Sequence, residues 1–330
     1  MCITEIKRMR SLCVLCATVV SLISVLRNAY AQDHETIEVG ETVFQDMPYR
    51  DPTSVPNYRQ ELRKPIVEKE EYFSQELDSF VRYVGPRGTS SQSGKVGVVD
   101  SAAEYSYEIK AFGKIPVQFA VASRYVGIDN STAVKLPAHL TSAGFGVETT
   151  LPFFSFDKTY FTIGLAPSFF SDNWDFRTQS FELMQRYFLI YQPNEKWVFV
   201  CGANYYPHFR PQVSPILGFI YKPNNRLTFS ILPESPEISY LLNDKLTVFI
   251  QGDSTNNEYR VTKDNVKDVV LNYNETHLGA GLRYKWNKHV TGSLAVGGVL
   301  NRSIEYRQDS LGKVVIDDGF YTEFRLVMAM

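Results

Sequence analysis

Few residues in this chain are placed to do acid–base or nucleophilic chemistry. Five histidines occur: His34, His139, His208, His277 and His289. A Ser–His hydrolase needs a hydroxyl, an imidazole and an orienting group within hydrogen-bond reach of one another. The chain has no G-x-S-x-G elbow. His34 falls in a proline-rich charged stretch, and His139, His208 and His289 lie in or beside turn-rich segments. His277 alone sits inside a strand-like run, two residues after Glu275 and on the same face as Arg283. That placement suits a histidine facing a polar interior better than a general base. No cysteine pair or close histidine pair offers a transition-metal site. Asp253–Asn257 carries oxygen ligands without the spacing of a calcium loop and reads as a polar outer loop. The Asn-x-Ser/Thr triplets at Asn130, Asn274 and Asn301 read as chance matches. The sequence therefore assigns no catalytic residue, metal or cofactor.

What these charged residues share is a place in an alternating pattern, so the elements that carry them decide their meaning. From Pro215 to Gly252 three punctuators, Lys222–Arg226, Pro233–Pro236 and Asn243–Asp244, separate four short runs rich in Ile, Leu, Phe, Tyr, Val and Thr. Leu227, Phe229 and Ile231 point one way, and Leu246, Val248 and Ile250 do the same on a later run. The alternation is sharpest near the end. Leu278, Ala280, Leu282, Tyr284 and Trp286 share one face, and His277, Gly279, Gly281, Arg283 and Lys285 share the other. No helical period interrupts residues 95–330.

Two solvents are compatible with such strands. A soluble sandwich buries its apolar faces against each other, whereas a membrane barrel turns them to lipid and keeps polar faces inside. The chain has 330 residues with 14% aromatics and a mean hydropathy of −0.19, too polar for a helical membrane protein and rich in girdle-forming rings. Tyr187, Tyr191, Trp197, Tyr205, Tyr206, Tyr221, Tyr284 and Trp286 cluster at strand ends, the level of headgroups in a barrel. The N-terminus agrees with export. Lys7, Arg8 and Arg10 precede an apolar run, Leu12–Leu26, and Ala29-Tyr30-Ala31 offers a cleavage site before Gln32. Three of the four cysteines fall within that leader, leaving Cys201 and no intrachain disulfide. The mature chain would carry 30 basic and 35 acidic residues, a formal charge of −5, which excludes nucleic acid as a natural partner.

The expected organisation is a signal peptide at 1–31, a partly disordered periplasmic lead-in at 32–94 with a short helix near Lys69–Phe80, and a barrel at 95–330. The short connections alternate with longer ones, as periplasmic turns alternate with outer loops. Among the longer ones are Asp253–Asn274 and Asn301–Gly319. With a first upward strand at Lys95–Val99 or Phe80–Val84, the count is fourteen; twelve is the alternative. The fold is thus an antiparallel up-and-down transmembrane β-barrel of the bacterial outer membrane. Its neighbours would be outer-membrane lipid, lipopolysaccharide and the barrel-assembly machinery. Charges on inward faces, Glu148, Glu182, His277, Arg283, Lys285, Glu323 and Arg325, are the candidate lumen lining.

Short stretches add a resemblance: P-I-L-G-F-I-Y-K with L-P-E-S-P-E-I-S-Y, K-I-P-V-Q-F-A at Lys114–Ala120, Leu136-Pro137, L-A-P-S-F-F at Leu165–Phe170, and H-L-G-A-G-L-R-Y-K at His277–Lys285. Over about residues 100–330 the chain resembles a family of predicted bacterial outer-membrane barrels known only as a domain of unknown function. The resemblance implies the barrel and supplies no activity and no site residues. Such barrels usually end in an aromatic residue, whereas this chain ends Val-Met-Ala-Met. Three functions fit these readings: a pore or solute channel, a lipid-modifying enzyme, and a structural or surface-binding barrel with a plugged lumen. The solute is not legible.

Overall fold

The computed structural model of the chain describes residues 75–90, 93–111, 115–153, 156–173, 177–307 and 312–330. The leader and the lead-in up to residue 74 lie outside the described residues. The elements are β1 (Gln75–Gly88), β2 (Lys95–Ala111), β3 (Ile115–Asn130), β4 (His139–Pro152), β5 (Thr159–Ser171), β6 (Phe181–Asn194), β7 (Trp197–Tyr205), β8 (Val213–Tyr221), β9 (Leu227–Ile231), β10 (Glu237–Asn243), β11 (Leu246–Lys263), β12 (Val266–Lys285), β13 (Val290–Tyr306), β14 (Lys313–Ile316) and β15 (Gly319–Ala329). From β1 to β14 each strand pairs antiparallel with its sequence neighbours, and β15 returns to pair with β13. β1 pairs β15, closing the ring. β14 and β15 follow one another along β13, opposite 302–305 and then 290–299, so together they form one stave. The result is a closed 14-strand antiparallel barrel. Among the described residues no helix is long and apolar enough to cross a membrane.

Two expectations need correction. The first stave starts at Gln75, so the barrel begins inside the stretch read as lead-in. Residues 75–80 are strand rather than helix. Phe80–Val84 lies in this first strand and Lys95–Val99 in the second. The charges of β1 hid it: Asp78 and Arg82 look like lead-in residues but point inward, where ionic partners meet them. The second correction concerns Asp253–Asn274, which is no loop. β11 and β12 run on past the apolar band as a hairpin, turned by Asp264 and Asn265 with φ of 47° and 68°. Positive φ at both central residues defines a type I′ turn, whose twist suits a two-residue hairpin.

The outward face is apolar. Val121, Leu165, Leu217, Ile250, Leu278, Leu282, Leu294 and Phe324 are exposed around the ring, where only lipid can cover them. Aromatics gather near the short turns: Trp197 stacks on Tyr221 at 4.1 Å, and Tyr284 meets Trp286 at 5.9 Å. The turns share one device. Asn194, Asn224, Asn243 and Asn287 each accept, through Oδ1, the amides two and three residues ahead. An Asx turn of this kind satisfies amides that the ladder cannot reach.

Candidate functional site

Alternation turns one residue in two inward, so neighbouring staves deliver their inner side chains at matching heights. Going up β1, Asp78 is followed by Phe80, Arg82 and Val84, all buried. Arg82 is the centre of a buried ionic layer. Its Nε donates to Glu323 Oε2 at 2.9 Å, and its Nη2 donates to Asp253 Oδ2 at 2.8 Å and to Glu323 Oε2 at 2.6 Å. His277 Nδ1 lies 2.8 Å from Asp253 Oδ1 and 3.0 Å from Arg82 Nη1, and its Nε2 lies 3.4 Å from Glu275. Glu275 accepts from Arg302 Nε at 2.9 Å. On the other side Arg124 grips Asp100 through two hydrogen bonds of 2.8 and 2.7 Å. Arg82 Nη1 reaches the same carboxylate at 3.8 Å.

Three guanidiniums therefore face four carboxylates, with one imidazole between them, all nearly sealed from solvent. Lone charges at this depth would be costly, and mutual pairing is what lets them stay ionised. Arg302 reaches the layer because Asn301, with φ of 51°, makes a bulge in β13. The inward positions change there from 295, 297 and 299 to 302, 304 and 306.

The seven residues expected to line the lumen do not form one site. His277 and Glu323 belong to the layer, joined through Arg82. Arg325 pairs with Asp78 one level nearer the short-turn end. Arg283 binds Glu237 at 3.0 Å and covers the Phe249 ring at 4.7 Å, while Lys285 is half-buried by the last turn of β12. Glu148 is buried beside Gly164, and Glu182 holds His208 Nδ1 at 2.9 Å under the outer connection after β7. Arg82, Asp100, Arg124 and Arg302 carry no role in the sequence reading, and Asp253 and Glu275 are named there without a place in the lumen. Asp253 was hidden because its stretch read as a loop, although 253, 255, 257, 259 and 261 are all buried.

Above the ionic layer the interior is largely apolar. Tyr259 and Leu271 of the long hairpin pack across the barrel against Val98, Val126, Leu140 and Phe170. Phe170 meets Tyr259 at 5.7 Å and Phe209 at 5.2 Å, both edge-on. The hairpin bends over the shorter staves β6–β10, and Arg260 forms a parallel bridge to Ser171 of β5. Thr262 N donates to Asp172 at 2.8 Å, Arg177 pairs with Asp268 at 2.7 Å, and Lys135 with Asp264 at 3.1 Å. Burial pushes the Tyr306 hydroxyl, which donates to Lys135 O at 2.7 Å, up to about 12, and burial lowers the neighbouring Lys263 ammonium.

A family model described as a domain of unknown function (DUF6268) matches residues 117–325. No curated protein matches the sequence. Among solved structures, the COG4313 outer membrane channel from Pseudomonas putida F1 overlays with 7% identity and a TM-score of 0.44, covering 79% of this chain and 96% of that one. The NanC porin overlays with 11% identity and a TM-score of 0.37, over 77% and 100%. LpxR from Salmonella typhimurium gives 10% and 0.37, over 77% and 100%. At such identities and scores these overlays carry no argument about what happens inside this barrel.

Proposed function

Since the chain belongs to the DUF6268 family, whose function is unknown, membership brings no activity with it, and we propose from the geometry that the protein is a bacterial outer-membrane channel held shut by its β11–β12 hairpin. One observation carries this reading. The outer mouth is closed by a hairpin that leans on the far wall, among the described residues, through one backbone bridge, Arg260 to Ser171, an exposed ion pair, Lys135–Asp264, and a part-buried one, Arg177–Asp268. Exposed pairs contribute about 0–1 kcal/mol each, so the cover is held chiefly by apolar packing and can swing without breaking the ring. The inward charges at the periplasmic end, among them Arg283, Lys285 and Arg325, would then face a solute once the cover lifts. Export through a leader cleaved before Gln32, contact with lipopolysaccharide and insertion by the barrel-assembly machinery belong to the same proposal. N-terminal sequencing of membrane-extracted protein checks the first of these.

Replacing residues 259–271 by Asn-Gly keeps Glu258 opposite Asn272 and removes the cover. In planar bilayers this variant should conduct severalfold more than the parent. If both fold, by heat-dependent gel mobility, and neither passes ions at any voltage, the channel reading falls. The second reading, a plugged structural barrel, is favoured by the complete pairing of Arg82, which makes the layer a brace across the ring. An enzymatic reading has less support, because the polar groups around His277 are Asp253, Glu275 and Arg82, a set without the hydroxyl or thiol of a Ser–His or Cys–His hydrolase.

A further inference from the structure

The barrel wall is incomplete in one place. β9 meets β8 only through Phe219–Ile231, Ile220–Ser230 and Tyr221–Phe229. Beyond Ile231 the chain turns through residues 232–236 into β10. That strand meets β11 no higher than Glu237 opposite Gln251, with Gly252 N donating to Pro236 O just above. β8 nevertheless continues upward through residues 218 to 213, and β11 continues from Gly252 to the bridge at Arg260. Among the described residues, these two edges have no strand between them. At its base the gap spans three inter-strand steps, about 14 Å at ~4.8 Å each.

Its depth follows from the aromatics. Tyr221 stacks on Trp197 in the ring near the short turns. Leu217 lies four residues higher on β8 and Val213 eight, roughly 13 and 26 Å along the strand. With strands tilted by ~40°, both heights fall within an apolar band about 25 Å tall. The gap therefore opens into hydrocarbon. Its outer lip is Leu217, at 78% more exposed than any other large apolar side chain among the described residues.

The inner side breaks a second rule. The lumen face of a membrane barrel is normally polar, as it is here at Arg82, Arg124 and Glu148. Behind the gap and the wall just below it, however, Phe188, Ile190, Val200, Ile216, Ile220 and Leu232 form one buried apolar patch, and Glu234 of the intervening turn reaches inward to Asn204 and Arg186 above it. An apolar surface thus runs from the membrane, past the free edge of β8, to the inside of the wall. The apolar packing under the hairpin closes the axial route above this level.

We propose that this gap is a lateral portal through which an apolar solute, one with a hydrocarbon body, passes between the membrane and the barrel interior. The proposal rests on the channel reading and names its solute class and its side door. A polar solute would gain nothing from this route, since it would have to shed its hydration in hydrocarbon before reaching the gap.

The test uses the mature chain in lipid vesicles, with Cys201→Ser to free the labelling chemistry. Nitroxides are placed through Ile216→Cys behind the gap, Ala295→Cys on the inner face of intact wall, and Leu278→Cys on the lipid face. Oxygen, which concentrates in hydrocarbon, should relax the label at 216 nearly as strongly as that at 278, and several times more than that at 295. Naphthalene, the apolar probe, should immobilise the label at 216 and leave that at 295 unchanged. Leu232→Cys serves as a second site behind the gap if Ile216→Cys does not fold. Conductance is recorded on the same samples. A label at 216 as protected as that at 295 overturns the portal, even where ions are conducted and the channel stands. An oxygen-accessible label that ignores naphthalene overturns the solute class. Full accessibility and naphthalene response without conductance, in parent and hairpin-shortened protein alike, would leave a lipid-facing recess and defeat passage itself.

Discussion

Arg82 Nη1 stands 3.0 Å from His277 Nδ1, although β15 and β13 separate their strands around the ring. The contact crosses the lumen, so the ionic layer ties staves that share no backbone ladder. Removing the guanidinium would take a positive charge from between the buried carboxylates Asp253 and Glu323. Arg82→Ala should therefore destabilise the barrel by about 3–5 kcal/mol, read as a lower urea midpoint in detergent or vesicle refolding. A midpoint within error of the parent would show the layer to be hydrated and slack.

The two faces of β12 should answer differently to substitution. Leu282 is exposed on the lipid side, and Leu282→Arg should cost about 2–4 kcal/mol if it lies at the midplane. Gly281 faces inward, where an added Cβ would lie 2.3 Å from Leu294 O and 2.6 Å from the Phe249 ring. Gly281→Ala should thus impair folding through a backbone clash, and Phe249→Ala should rescue it only in part. Yields of heat-modifiable folded protein measure both.

The hairpin cover should loosen in alkali. Tyr306 holds its proton more tightly when folded, so the stability it supplies is fully present below pH ~10. It is lost as pH rises from there through about 12, when the phenolate would have to face Lys135 O and a desolvated pocket. Hydrogen exchange at residues 260–269 should accelerate across that window in the parent. Tyr306→Phe should remove the step while keeping an aromatic ring beneath Lys263 Nζ. An identical alkaline profile in the Phe variant would assign the transition elsewhere.

If solute passes the periplasmic half of the lumen, the pairs Arg325–Asp78 and Arg283–Glu237 line its way. Arg283→Gln combined with Arg325→Gln leaves both carboxylates uncompensated, so reversal potentials under a salt gradient should move towards cation preference. A folded double variant with unchanged selectivity would place these pairs in the wall as braces only.

The fold was legible in the sequence wherever apolar side chains face lipid. Leu278 to Trp286 announce a strand with one apolar face through five apolar residues in strict alternation. It became illegible where both faces are polar or the partners are distant. β1 carries Asp78 and Arg82 inward, and only Arg325, Asp253 and Glu323, some 170 to 250 positions away, make them interior residues. The outer half of β11 shows serine and asparagine to water and aspartate and threonine to the interior, so hydropathy alternation vanishes although backbone alternation persists. Its signal lay instead in the Asp264-Asn265 pair, which tolerates left-handed backbone. Of the site, His277 and Glu323 were reached by counting faces. Their partnership through Arg82 depends on ring closure, which pattern alone does not reveal.

The ladder between β1 and β15 has one more consequence. Gln75 and Met330 exchange backbone hydrogen bonds, so the ring is completed by segments nearly the whole described chain apart. Contacts of such long sequence separation form late in folding. Until β15 docks, β1 and β13 each present a long bare edge able to pair with a second chain. Every nascent copy must therefore be kept from its siblings until its last eleven-residue strand is in place. A chain cut before Gly319 would be predisposed to form fibrils or mixed rings instead of a shortened barrel.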